Sequence, residues 1–214
     1  SEDDSIHAQF ATQASLLSLL IKRFFKDQPS YSFTFHAHDI YFKNKWFEPL
    51  VQNSEASFSI SEFNINYVRK TYGPSDKYKL ARLGVFTDIF DHQQKIKAGN
   101  KEDVVFGLIS RFVEKKGIIY LLEAMKELKS KNFDNLKLVL AGDGPLKDSL
   151  MDFVRQNDLN SNVEYIGTIK GKEKTDFFES LNAFVLPCIQ LENDMDGIPV
   201  VLREAIACGL PRMT

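Results

Sequence analysis

Two carboxylates, Asp196 and Glu204, bracket seven residues that read as the mouth and first turns of a helix. Pro199 stands where a first helical position tolerates a missing N–H. Gly209, with Pro211 just beyond, marks the stop. Three and four residues from Glu204 lie Val200, Val201, Ala207 and Cys208, so its carboxylate sits on an apolar stripe. An anion there is costly unless a ligand hydroxyl, a backbone N–H or a basic side chain from another element bonds to it. Asp196 belongs to the loop at the helix mouth. There the N–H groups of Gly197, Ile198 and Val200, together with the helix dipole, favour an anion. The chemistry on offer is recognition of hydroxyls by carboxylates beside a seat for phosphate.

Arg111 and Lys116 flank a predicted strand-to-helix turn, and two cations so placed suit a diphosphate better than a singly charged group. Solvated surface charge is the plainer reading of each. Gly142-Asp143-Gly144-Pro145 is a second turn of this kind, without the order and spacing of a Walker loop, which argues against an NTPase. His36 and His38 share one face of a strand predicted over Ser32–Ile40. Zinc accepts such a pair but needs further ligands, and His7 and His92 lie in no ligand-spaced motif. Hydrogen-bonded histidines at a strand end are the alternative.

These residues need elements to hold them. Residues 6–26 read as an amphipathic helix with Lys22, Arg23 and Lys26 in its last turn. Its basic, Phe-rich end could touch a membrane surface, although an ordinary amphipathic helix is the simpler reading. Phe58–Asn64 is a strand-to-helix turn with Ser61 as N-cap, and Lys79–Phe86 a last strand and turn. Residues 88–102 are polar and turn-rich, the mark of a boundary. Beyond them strands Val104–Ser110, Leu136–Ala141, Val163–Gly167 and Ala183–Pro187 alternate with helices 117–130, 145–156, 172–182 and the Glu204 helix. That alternation predicts a parallel α/β sheet, with ligands beyond the carboxyl ends of its strands. Hydrophobic residues, at 43%, suffice for a core, and a net charge of -2 gives no electrostatic case for nucleic acid. Cys188 and Cys208 have no metal or redox spacing and read as small buried hydrophobes, in keeping with a reducing cytoplasm.

The segment Asp196–Glu204 resembles the acid-x7-acid signature of retaining family 4 glycosyltransferases of the GT-B fold, with Asp196 where Glu is usual. Three further segments are similar to that family's motifs and follow in the same order. They are Thr34-Phe35-His36-Ala37-His38-Asp39-Ile40-Tyr41, Ile60-Ser61-Glu62, and Ser110-Arg111 through Lys116-Gly117, where Ser110 replaces the usual Gly. The resemblance implies two Rossmann-like parallel-sheet domains facing a cleft, both incomplete here. Residues 1–90 would be the end of the acceptor-side domain, 91–102 the linker, and 103–214 a truncated donor domain.

By the same resemblance Arg111 and Lys116 bind the donor diphosphate, and the turn Gly197-Ile198-Pro199-Val200 is expected to join them through the N–H groups of Gly197, Ile198 and Val200. Glu204 holds the ribose, Asp196 holds donor hydroxyls, and His36 faces the transferred sugar with His38 and Asp39 supporting its loop. The expected reaction moves a hexosyl group from a nucleotide-diphosphate sugar to a glycan or lipid-linked acceptor, with retention and without a metal or other cofactor, in capsule or exopolysaccharide assembly. The expected location is cytoplasmic, peripheral to a membrane at most. The competing expectation is a non-catalytic nucleotide-sugar-binding or scaffold module of the same fold, which turnover would distinguish from the enzyme.

Overall fold

Strand and helix alternate along nearly the whole chain, and in the computed structural model the strands collect into two separate parallel sheets. The structure describes residues 5–25, 29–41, 44–85, 103–192, 194, 196–197 and 199–214. The chain divides into two compact units, Ser1–Gly84 with Gln190–Ile198, and Val85–Ile189 with Pro199–Thr214. The expected linker, 91–102, and Phe86 lie outside the described residues.

In the first unit β1 (Ser5–Gln9), β2 (Ser30–Phe35), β3 (Ala56–Ser59) and β4 (Tyr78–Leu80) are ordered as they occur in sequence. They alternate with α1 (Gln13–Phe24), α2 (His38–Tyr41), α3 (Phe47–Asn53) and α4 (Glu62–Tyr72). The core is aromatic: Phe33 and Phe35 project from one face of β2 onto Phe47, whose ring meets each of theirs edge-on. Such edge contacts add to area burial.

The helix expected over 6–26 is a strand followed by a helix. Ser5–Gln9 pairs in parallel with Ser30–Thr34, and Phe10, at φ 68°, breaks the chain direction before α1 begins. The partner of β1 is distant in sequence, so its apolar pattern merged with that of the helix. Helix α1 also buries an unexpected face. Ser15 and Ser18 are inside, while Leu17, Leu20 and Phe24 are 58, 42 and 76% exposed. Ser15 Oγ donates to the Phe10 carbonyl at 2.6 Å and Ser18 Oγ to Ala14 at 3.0 Å, so the buried hydroxyls are satisfied.

The second unit contains β5 (Val104–Arg111), β6 (Leu136–Asp143), β7 (Val163–Gly167), β8 (Ala183–Val185) and β9 (Arg212–Met213) in the order β7-β6-β5-β8-β9. Helices α5 (Ile118–Ser130), α6 (Lys147–Gln156), α7 (Lys172–Ser180) and α8 (Val200–Ala207) connect them. Strand order reverses at β5, which makes the carboxyl ends of β5 and β8 the switch point where sheets of this type bind ligands. The core gathers Leu108, Leu138 and Leu140 from the strands with Leu122, Phe178 and Phe184. Arg212–Met213 pairs in parallel with Phe184–Val185 of β8.

Three helices of this unit stop in one way. At α5, α6 and α8, left-handed Asn132, Asp158 and Gly209 (φ 63, 54 and 73°) end the helix. In each, the following N–H reaches back five residues: Phe133 to Leu128, Leu159 to Val154 and Leu210 to Ala205. This is the Schellman closure, which satisfies carbonyls the helix leaves open.

Candidate active site

Strand β5 delivers Arg111 to the carboxyl edge of the sheet, where the side chain is exposed and, among the described residues, carries no hydrogen bond or ion pair. The chain then buries Phe112, makes a single 3-10 turn over Glu114–Lys116 and reverses at Gly117, which is left-handed at φ 64°. A Cβ on Gly117 would lie 2.0 Å from the Pro187 carbonyl oxygen. Only glycine lets this turn approach the loop after β8 so closely. The Ile189 N–H donates to the Lys115 carbonyl at 2.9 Å and ties the same two loops together. Lys116 is half-buried in this turn. The neighbouring Gly142-Asp143-Gly144 turn has a structural reason of its own. A Cβ on Gly142 would meet the Ser110 carbonyl at 1.8 Å, and one on Gly144 the Phe112 carbonyl at 2.5 Å.

Pro199 caps α8 in extended geometry (φ -60°, ψ 131°) instead of occupying its first helical position, so the helix starts at the exposed Val200. The Leu202 N–H turns back to the Pro199 carbonyl at 3.2 Å, leaving the N–H groups of Val200 and Val201 at the mouth. Ile198 lies outside the described residues. Further along, Glu204 Oε2 stands 2.5 Å from Lys174 Nζ of α7, with side-chain exposures of 18 and 28%. The contact is an ion pair whose angles are not those of a hydrogen bond. Of the three partners open to Glu204, the structure supplies the basic side chain.

Sequence reasoning passed over Lys174. A signal existed: a cation in a helix's first turn opposes the dipole, and Phe177 and Phe178, three and four residues on, are core residues. Cys208, one turn after Glu204, is a free thiol pushed up to about 11 by burial, with Glu179 and Glu204 adding to the shift and Lys174 opposing it.

In the first unit β2 ends at Phe35 because Asp39 takes over. Its buried carboxylate accepts the His36 N–H at 2.9 Å through Oδ1 and the Ala11 N–H at 2.7 Å through Oδ2. It thereby clamps the ends of β1 and β2. His38 consequently opens α2 and does not share a strand face with His36, which corrects the sequence expectation.

Asn64 Nδ2 donates to the His36 carbonyl while its Oδ1 accepts the Tyr41 hydroxyl at 2.8 Å. Asn64 is itself placed by Ser61, the α4 N-cap, whose Oγ accepts its N–H at 3.2 Å. The His36 ring lies tilted by 38° against the ring of the left-handed Phe10, centroids 4.5 Å apart, and its Nε2 lies 3.1 Å from Gln9 Oε1. Burial pushes the imidazole below its ordinary value, with Asp39 opposing, so neutral pH favours the uncharged ring. Gly197 approaches the same strand ends: a Cβ there would sit 3.8 Å from Ala37 Cβ and 3.7 Å from Ile60 Cδ1. The half-buried Asp196 precedes it. His7 is held between the Ser32 and Thr34 hydroxyls at 2.8 and 3.0 Å, an ordinary satisfied histidine.

The model of the family described as glycosyl transferases group 1 matches residues 89–214, which span Arg111, Lys116, Asp196 and Glu204. The chain belongs to the group 1 glycosyl transferases. A Salmonella typhimurium protein named as a colanic acid biosynthesis glycosyltransferase, WcaL, is 27% identical over 166 residues, covering 77% of this chain and 40% of WcaL. The amylovoran biosynthesis glycosyltransferase AmsK of Erwinia amylovora is 29% identical over 139 residues, 64% of this chain and 33% of AmsK. Among solved structures, Anabaena HepE in complex with UDP-glucose superimposes with a TM-score of 0.75 at 15% identity, over 98% of this chain and 58% of HepE. These likenesses agree with the GT-B type of fold expected from the motifs. The chain spans less than half the length of the curated relatives it matches. Among the described residues no helix is long and apolar enough to cross a membrane.

Proposed function

We propose that this group 1 glycosyl transferase moves a hexosyl group from a nucleoside diphosphate sugar to a glycan or lipid-linked acceptor, with retention, in polysaccharide assembly. The observation that carries the reading is the family match running through both carboxylates and both cations of the candidate site. The relatives named for colanic acid and amylovoran support the polysaccharide, and HepE, held with UDP-glucose, supports the donor class.

In this reaction the bond from the sugar C1 to the diphosphate oxygen breaks and a bond from C1 to the acceptor oxygen forms, with the acceptor proton released. Negative charge collects on the leaving diphosphate. Arg111, Lys116 and the N–H groups of Val200 and Val201 are the groups assigned to receive it, and preorganised donors of this kind lower the barrier. They supply countercharge that would otherwise call for a metal, so the proposal is metal-independent. Glu204 takes the ribose hydroxyls, Asp196 the hydroxyls of the donor sugar, and His36, uncharged, accepts or donates a hydrogen bond at the transferred sugar. Weak contact of α1 with an anionic membrane surface belongs to the same proposal, supported by Phe24 and Phe25 exposed beside Arg23.

Titrating UDP- and GDP-sugars into the chain with EDTA present tests the reading by calorimetry. Saturable binding is expected, weakened about 100-fold by Arg111→Ala and by Glu204→Ala, in line with the loss of one strong charge-assisted contact each. Failure of every donor to bind the wild-type chain would refute it.

A further inference from the structure

We infer that Lys174 is a positioning residue of the donor site: it fixes one carboxylate oxygen of Glu204 so that the other is presented to the nucleotide ribose. The inference rests on the assignment of Glu204 to the ribose made above. Three observations carry it. Lys174 and Glu204 each break the local rule of their own helix. Lys174 places a cation in the first turn of α7, on the stripe of Phe177 and Phe178, and Glu204 places an anion among Val200, Val201, Ala207 and Cys208. Departures from local preference of this sort concentrate at functional sites. The two then meet at 2.5 Å, so each answers the other's unfavourable position.

The division between the two oxygens is the third observation. Oε2, the oxygen facing Lys174, is buried, and its only partner among the described residues is that ammonium. Oε1 carries no hydrogen bond among them, on a side chain that keeps 18% of its surface exposed. A carboxylate oxygen offers two lone-pair directions, which suits the adjacent 2′- and 3′-hydroxyls of a ribose. An ammonium on the far oxygen holds the rotamer in which Oε1 faces out, and it keeps the half-buried carboxylate from collapsing onto another donor. Lys174 touches no substrate in this scheme.

The test is ribose discrimination. UDP and 2′,3′-dideoxyuridine diphosphate are titrated into the wild-type chain, Lys174→Met and Lys174→Arg, with unfolding midpoints recorded for all three. Wild type is expected to prefer UDP by about 10-fold or more, the scale of one charge-assisted hydrogen bond. In Lys174→Met that preference should fall to about 2-fold through weaker UDP binding alone, and Lys174→Arg should restore it because a cation is regained. A merely structural lysine would weaken both nucleotides alike, leave the preference at its wild-type ratio, and overturn the inference. Tighter UDP binding by Lys174→Met would overturn it too, because the pair would then be a competitor of the nucleotide. A wild-type chain that binds UDP without discriminating would instead bring down the ribose assignment of Glu204. If Lys174→Met does not fold, Lys174→Gln takes its place, and the same ratio decides.

Discussion

The polar groups around His36 close on one another, whereas Arg111, at the carboxyl edge of β5, is left open among the described residues. Asp39 has both oxygens engaged by backbone N–H groups, and Asn64 uses both ends of its amide. Arg111 ends β5 with its side chain bonded to nothing among the described residues, and Glu204, on α8, meets Lys174 of α7 alone among them. The first arrangement fixes the backbone on both sides of the His36 imidazole. The second keeps charge in reserve for a partner that brings its own charge and hydroxyls. What holds the second in shape is glycine: Gly117, Gly142 and Gly144 permit backbone approaches that any Cβ would prevent.

The contrast can be broken from either side, and the largest effect is expected at Gly117. Gly117→Ala would force a Cβ onto the Pro187 carbonyl at a left-handed φ and should destabilise the second unit by on the order of 3 kcal/mol. Urea unfolding measures it, and a loss under ~1 kcal/mol would mean the turn is not held by close approach. Slightly smaller is Asp39→Ala, which strands two backbone N–H groups and should cost about 2–3 kcal/mol. Asp39→Asn, which keeps an acceptor, should cost less, and equal losses would show that the charge and not the bonding matters.

His36 sharpens the comparison through pH. Its folded-state value is depressed below its unfolded one, so the unfolded chain binds the extra proton first. The stability this contributes is complete above the ordinary histidine value of 6.5 and is lost as pH falls through the folded value. The unfolding midpoint of His36→Gln should therefore fall less steeply than that of wild type below that pH, and identical slopes would contradict the burial argument. The smallest effect lies in the second unit. Asn132→Gly removes a side chain from a left-handed position and should stabilise by about 0.5 kcal/mol, read as a rise in the unfolding midpoint.

What the sequence disclosed follows the same division between near and far. Strand β7 runs over the residues its apolar pattern predicts, Val163–Gly167, and the bounds of β5, α5, β6 and α6 shift by one or two residues. In these the pattern and its cause are local. Gly209 was readable as a helix stop, but Asn132 and Asp158 in the same role were not, because Asn and Asp merely tolerate the left-handed conformation. Strand β1 was lost because pairing with β2 is what makes it a strand. The Asp39 clamp joins residues 28 apart, and the meetings of Gly117 with Pro187 and of Lys174 with Glu204 come from different βα units. The carboxylate of Glu204 announced that it needed a partner. Which partner it found depended on how α7 and α8 were laid on one sheet.

Helix α1 has a practical consequence. Ser15, Ser18 and Leu19 face the core while Leu17, Leu20 and Phe24 face out, so fold and colloidal behaviour are written on opposite sides of one helix. Leu17, Leu20 and Phe24 can be exchanged for glutamine, lysine or glutamate with the unfolding midpoint unchanged, since exposed positions contribute within about 0.5 kcal/mol each. The same exchanges should shorten retention on a phenyl column and raise the concentration at which the chain stays dispersed. Ser15→Ala should do the reverse, costing stability while leaving solubility alone. A chemist wishing to handle this chain at high concentration has a surface to edit that the core does not read.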